Sequence, residues 1–219
     1  KIISSRMNAI EKIMSWSKKL QEKPHILIAS ALSFYGSHKS DHKPYNENDK
    51  STNTQNFLCN LANNIEQNKF TKNTDIPITY MRFALVLDFN GGVLKKIALP
   101  IKFYLGAIMG DGKNAWSWIS LDDLVSAIYF CINKKITGPV NFISTEKTSQ
   151  NKFMSAIATE LQRKIFFSIP KHMLYIIFGK EMSENIFLTG TYAKPNKLLE
   201  NNFKFKHTSI KKFLKQNKR

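Results

Sequence analysis

The chain has 219 residues, 42% hydrophobic and 22% charged, enough apolar material for one large domain or a domain with a small appendage. Its 33 basic against 16 acidic residues give a formal net charge of +17, which raises nucleic acid, anionic membranes and acidic ligands as partners. Only Arg6, Arg82, Arg163 and Arg219 are arginine, the residue favoured for base reading and bidentate phosphate grip, so the profile argues against nucleic acid.

Apolar positions recur every three or four residues over 3–20, which predicts a helix that Pro24 ends. Residues 25–29 (HILIA) read as a strand buried on both faces. The polar stretch 37–56 is expected to be a surface loop, 57–70 a helix and 78–87 a second strand. Gly91 and Gly92 open a further helix to about residue 104. A glycine-punctuated loop (106–114) and a short strand (116–119) follow. Helix 121–133 has Ser120 as its N-cap, with Asp122 and Asp123 in the first turn, where the macrodipole favours anions. A third apolar strand covers 140–143. Beyond about residue 145 the pattern is helical: 150–163, 171–178, 183–188, 195–200 and 209–215.

Strand and helix alternate as in a parallel sheet covered by helices, giving an α/β fold with a small, mainly helical C-terminal domain. The expected division is 1–145 and 146–219. Cys59 and Cys131 lie in apolar segments and are expected to be buried free thiols in a cytoplasmic, reducing setting. Residues 1–23 are polar-studded rather than signal-like, and the apolar runs 97–109 and 173–179 are too short to span a bilayer. The five histidines and two cysteines show no metal-ligand spacing, so no metal is expected. The first glycine is Gly36. A dinucleotide-binding sheet needs a Gly-rich turn after its first strand, and nothing before Gly36 supplies one.

The segment Ser30-Ala31-Leu32-Ser33-Phe34-Tyr35-Gly36 resembles the S-A-x-G-Y-Y-G of an atypical branch of the extended short-chain dehydrogenase/reductases, known as nucleotide-sugar-epimerase-like. The likeness continues in order: Arg82-Phe83-Ala84-Leu85-Val86-Leu87 with Gly91-Gly92, then Gly110-Asp111-Gly112 with Trp118-Ile119-Ser120-Leu121-Asp122-Asp123-Leu124-Val125. Gly138-Pro139-Val140-Asn141, Gly179-Lys180-Glu181-Met182 and Pro195-Asn196-Lys197-Leu198-Leu199-Glu200 complete it. The resemblance runs over essentially the whole chain. It lacks the family's opening β-α-β unit with its G-x-T-G-x-x-G turn, roughly 70–80 residues. The chain is therefore read as the later part of a Rossmann-like, NAD(P)-binding protein.

In that family a serine holds the substrate oxygen, a tyrosine beside a lysine moves the proton, and a nicotinamide exchanges hydride. The resemblance places Ser30 as the serine, or else as a hydroxyl capping its strand end. The Tyr-x-x-x-Lys positions become Leu58 and Ala62, as the atypical branch itself generally lacks the pair. Tyr35 is the remaining candidate proton carrier, unless it packs under its loop. Arg82, in an apolar strand, either meets an acid such as Asp88 or Glu66 or faces a ligand. Ala29, Ser30, Arg82, Ala84, Leu85 and Val86 are the expected cofactor side. Lys113, Trp116, Trp118 and Ser120 are the expected substrate side, with Lys113 and Trp116 meeting a phosphate and a ring or packing on the sheet. Asp122 and Asp123 are explained by their helix-start position.

The family's W-I-H histidine is Ser120 here, its R-N is Ser149-Gln150 and its G-Q-R is Gly190-Thr191-Tyr192. Polar residues are lost while structural ones match, which fits either a changed substrate or a decayed enzyme. The resemblance implies redox chemistry with NAD or NADP on a nucleotide-sugar-like or carbonyl substrate. The alternatives are a non-catalytic scaffold or, through the basic tail 194–219, a nucleic-acid or membrane-surface binder.

Overall fold

The computed structural model describes residues 1–36, 43–51, 56–72 and 74–216, so most of the loop expected at 37–56 lies outside the described residues. Helix α1 (Ile2–Ser17) leads into strand β1 (Ile26–Ala31), which ends in a 3₁₀ turn, Leu32–Tyr35. Helix α2 (Phe57–Glu66) is capped by Asn56, whose side chain accepts from Leu58 N–H at 2.8 Å and from Cys59 N–H. It stops at Glu66 rather than at residue 70, and Lys69–Thr71 is a separate 3₁₀ turn.

The strand expected at 78–87 is broken at Ala84 into β2 (Ile78–Phe83) and β3 (Leu85–Leu87). Helix α3 (Gly92–Lys102) follows, then β4 (Ala107–Met109), inside what reads as a loop, and β5 (Trp118–Ser120). Ser120 caps α4 (Leu121–Asn133), its side chain accepting from Asp123 N–H. After β6 (Gly138–Phe142) and α5 (Gln150–Glu160) comes β7 (Phe167–Ile169), a strand in the part expected to be wholly helical. Its residues are exposed or half-buried and carry no alternating pattern; it exists because it pairs with β4. Helices α6 (Lys171–Phe178) and α7 (Lys180–Met182) run into a π turn, Ser183–Leu188, and α8 (Asn196–Glu200) and α9 (Ile210–Lys215) complete the chain.

All strand pairs are parallel: β1–β2–β6 form one sheet, while β3 joins β5 and β4 joins β7. This is the Rossmann-like α/β fold with a small helical C-terminal region. Two of the four apolar clusters among the described residues tie the C-terminal region to the sheet in layers. One packs Met81, Ile119, Ala127 and Phe142 against Leu198 and Phe203; the other packs Leu87, Leu94 and Trp118 against Phe153, Ile157 and Phe213. The basic tail is thus folded into both layers through its apolar positions. Asp123 anchors it further, its carboxylate accepting from Lys206 N–H at 2.7 Å and His207 N–H at 3.0 Å. Among the described residues no helix is long and apolar enough to cross a membrane.

Candidate functional site

Parallel strands end on one side of a sheet, and a crevice opens where their pairing partners change. Here that point is Ala84. Its N–H donates to Phe142 O and the next N–H, of Leu85, donates to Ser117 O, both at 3.0 Å, so the strand leaves β6 and joins β5 within one residue. A cleft of about 310 Å³ lies over this switch. Phe83, Ala84 and Leu85 line it, with Leu32 and Ser33 from the turn after β1, Val93 and Ile97 from α3, and Met109 and Trp116. Phe187, Thr189, Gly190 and Thr191 bring the C-terminal region onto the same cleft. Gly190 makes that approach possible: a Cβ on it would stand 1.9 Å from the Ala115 carbonyl oxygen.

The lining is apolar in character, and its hydroxyls are spent on the fold. Ser33 donates to Leu58 O at 3.2 Å, Thr191 to Gly36 O at 2.6 Å, Ser117 to Thr191 O and Thr189 to Glu184 O. Among the described lining residues none is charged. A nicotinamide ring fits such a floor. The diphosphate of a dinucleotide does not find cations or uncommitted hydroxyl donors in it, so the fit extends to the ring end only.

Next to the cleft lies a buried polar network. The Arg82 guanidinium grips Glu66 through Nη2–Oε2 at 2.6 Å and Nε–Oε1 at 2.9 Å, with 3% and 6% of the two side chains exposed. Burial works against the arginine's charge, and the Glu66 carboxylate more than offsets this, holding its pKa above the ordinary value. Ser30 donates to the same Glu66 Oε1 at 2.7 Å. Arg82 Nη1 donates to the Tyr35 hydroxyl at 2.6 Å, and that hydroxyl lies 2.8 Å from both Asn46 O and Asn141 Oδ1. Tyr35 is fully buried, stacked on Tyr45 at 4.6 Å, and burial pushes its phenol up to about 12. Below this, Glu47 accepts from Asn141 N–H and Lys197 N–H, tying α8 to the sheet.

Of the residues expected on the cofactor side, Ala84 and Leu85 line the cleft. Val86 packs into the core, and Ala29 sits on β1 facing the groove beside α1. For Arg82 the structure shows the first of its two expected alternatives: its guanidinium meets Glu66 and Tyr35, because a buried cation takes the nearest carboxylate. Tyr35 likewise takes the second of its expected alternatives, packing under its loop. Its phenol is enclosed, raised by burial and bonded to Arg82.

On the substrate side only Trp116 lines the cleft, its ring edge-on to Phe153 at 5.2 Å. Trp118 is core, with its indole N–H on Thr148 at 3.2 Å; Ser120 is the buried cap of α4; Lys113 is exposed on its loop. Asp122 is held below the usual carboxylate range by hydrogen bonds from Lys206 and His207, consistent with a structural role. The cleft wall at 187–191 carries no sequence signal of its own, because it becomes a wall only by touching residues some 70 positions earlier, as Asn114 does on Phe187 O at 3.0 Å.

Residues 169–216 match the family described as "Domain of unknown function (DUF1731)". Along 218 residues the chain is 32% identical to the epimerase family protein YfhF of Bacillus subtilis, covering 98% of this chain and 70% of that one. Its fold superposes on the human epimerase family protein SDR39U1 (isoform 2), solved with NADPH, with a TM-score of 0.88 at 19% identity over 98% of this chain and 72% of that one. The nucleoside-diphosphate sugar epimerase of Corynebacterium glutamicum gives 0.75 at 22% identity, over 94% of this chain and 40% of that one.

Proposed function

This chain belongs to the epimerase family of the atypical short-chain dehydrogenase/reductases, and on that premise we propose that its cleft receives the nicotinamide end of NAD or NADP beside an apolar carbonyl substrate. The observation that carries the proposal is the uncharged, apolar cleft at the Ala84 switch. Ala84 and Leu85 form the ring side, while Trp116, Val93, Ile97 and Met109 form the substrate side. The bound cofactor supplies hydride exchange at its ring; the protein excludes water and orients the two partners face to face. Ser30 acts here as a positioning residue, fixing Glu66 and the end of β1 under the cleft.

A sugar nucleotide suits this lining poorly, since its hydroxyls and phosphates would lose their water to a surface whose own hydroxyl donors are already committed. The division near residue 145 belongs to the same proposal: the first part carries the floor, and the second part supplies the wall at 187–191.

The test is a titration of the full chain with NADPH and NADH, read by the quenching of tryptophan fluorescence and repeated with Trp116→Ala. NADPH oxidation is then followed across aldehydes and ketones of rising apolarity. Cofactor binding that survives Trp116→Ala, with turnover favouring the more apolar carbonyls and a carbonyl KM that Trp116→Ala raises, supports the proposal. Absence of binding to either cofactor refutes it. Binding without turnover favours the second reading, a scaffold that keeps the cleft without the chemistry, which the committed Ser30 and Tyr35 hydroxyls support.

A further inference from the structure

A different face of the molecule carries an apolar patch that neither the fold nor the cleft uses. Ten large hydrophobic residues in two short windows, 89–110 and 161–180, are exposed, and they are close to half of all those exposed among the described residues. The most prominent are Ile176 at 83%, Leu105 at 71%, Phe103 at 68% and Phe166 at 67%. Monomeric proteins rarely leave so many large side chains together in water without a partner.

The two windows form one surface. Ala107 pairs with Phe167 in the β4–β7 ladder, so the segments leading into the two strands lie side by side. Arg163 Nε donates to Lys102 O at 3.2 Å, and its guanidinium lies 4.8 Å from the Tyr104 ring centre. Phe103, Tyr104 and Leu105 are thereby held beside Phe166 and Phe167. Helix α6 follows β7 directly, burying Leu174 and turning Met173, Ile176 and Ile177 outward. Tyr104 sits at φ +62°, a conformation rare for a tyrosine, in the turn that ends α3.

Charge selects the partner. The same windows contain Lys95, Lys96, Lys102, Arg163, Lys164, Lys171 and Lys180, against Asp88, Asp111, Glu160 and Glu181 at their borders, so basic residues outnumber acidic ones on these segments. Lys171 is paired with Glu184 at 2.9 Å, and Glu160 lines one groove with Lys95, Leu99 and Lys102; Lys96, Lys164 and Lys180 complete the basic residues of these segments. A second copy of a chain carrying +17 would bring like charge against like charge. Aliphatic side chains such as Leu105, Ile176 and Ile177 offer no stacking face to nucleic-acid bases. An anionic bilayer surface satisfies both properties, taking rings and aliphatic groups at the acyl boundary and lysines at the headgroups.

We propose that this face, built from the α3–β4 turn, the entry to β7 and the outer side of α6, docks the protein on anionic lipid. The surface is distinct from the basic tail, whose apolar positions are buried in the core. It is also independent of the cofactor reading, although α3 serves both: Val93 and Ile97 line the cleft, while Leu99 is exposed.

The experiment is co-sedimentation of the full chain with phosphatidylcholine vesicles, with and without roughly one-third phosphatidylglycerol, at low and high salt. The chain is expected to bind the anionic vesicles and to be released by salt. The triple variant Phe103→Ser, Leu105→Ser, Phe166→Ser should weaken binding by about tenfold or more for each side chain that enters the bilayer. Lys102→Gln with Lys164→Gln should weaken it about fivefold per charge. Tyr129→Ser on the exposed side of α4, and Lys211→Gln with Lys212→Gln in the tail, should leave it unchanged. Thermal melts confirm that each variant is folded. No binding to anionic vesicles, binding that survives the triple variant, or loss of binding with the tail variant each overturns the proposal. A concentration-dependent dimer abolished by the triple variant would also overturn it, assigning the face to a second copy.

Discussion

Replacing Glu66 by alanine strands the Arg82 guanidinium in the protein interior, and this is the most informative single perturbation of the structure. Glu66 accepts three hydrogen bonds at 2.6–2.9 Å, two from Arg82 and one from Ser30, in a setting where 3% and 6% of the ion-paired side chains are exposed. Removing one partner of a buried pair costs about 3–5 kcal/mol, because the remaining charge keeps its desolvation penalty without its compensation. That is a large part of the roughly 5–15 kcal/mol that holds an ordinary domain folded. It corresponds to a fall in Tm of roughly 10 °C for a chain of this size. Removing both charges together, as Glu66→Leu with Arg82→Met, should recover most of the loss, since an apolar pair of similar volume leaves no orphan ion. The assay is urea unfolding of the wild type, Glu66→Ala, and the double-mutant cycle of Glu66→Leu and Arg82→Met, each singly and together. If Glu66→Ala costs less than about 1 kcal/mol, or the two single effects simply add, the network is not the structural post argued here.

Three further outcomes follow from the same coordinates. Burial raises the Glu47 pKa, so the proton binds the folded state more tightly and this contribution to stability is full below the unfolded carboxyl pKa and lost as pH rises through the raised folded value. Glu47→Gln should therefore unfold at higher urea than wild type at neutral pH, with the advantage vanishing towards about pH 4, and a pH-independent difference would contradict the assignment. Burial pushes the Cys131 thiol up to about 11, so iodoacetamide at mildly alkaline pH should label it only after denaturant is added. Lys135 ends α4 at φ +51° on the surface, where glycine is the better residue; Lys135→Gly should add up to about 1 kcal/mol and raise Tm by about 2–4 °C.

The partners of several expected site residues share one physical origin. The sequence shows Arg82 alone among apolar neighbours and names Glu66 as one possible partner, but nothing local says that the guanidinium also takes the Tyr35 hydroxyl. That contact joins residues 47 positions apart. That contact holds the Tyr35 ring in the interior, where burial pushes its phenol up to about 12 although the Arg82 charge pulls the other way. Trp118 and Ser120 follow the same logic: their neighbours Thr148 and Asp123 claim the indole N–H and the hydroxyl. Trp116, two residues before Trp118 in sequence, lines the cleft instead.

By itself the sequence determined what short-range physics can carry. The period of α4 and its Ser120 cap, the apolar runs of β1 and β6 and the ordered family motifs all depend on residues close to one another. Only the tertiary structure decided the strand break at Ala84, the β4–β7 ladder, the wall that Gly190 brings against Ala115, and the exposed face of α3 and α6. Each of these depends on which distant segment arrives to satisfy a backbone group, a buried charge or an apolar surface. The +17 charge shows the division well. Composition established its size, but only the fold drew the apolar positions of the basic tail into the core while leaving those of the α3–β4 turn and α6 exposed.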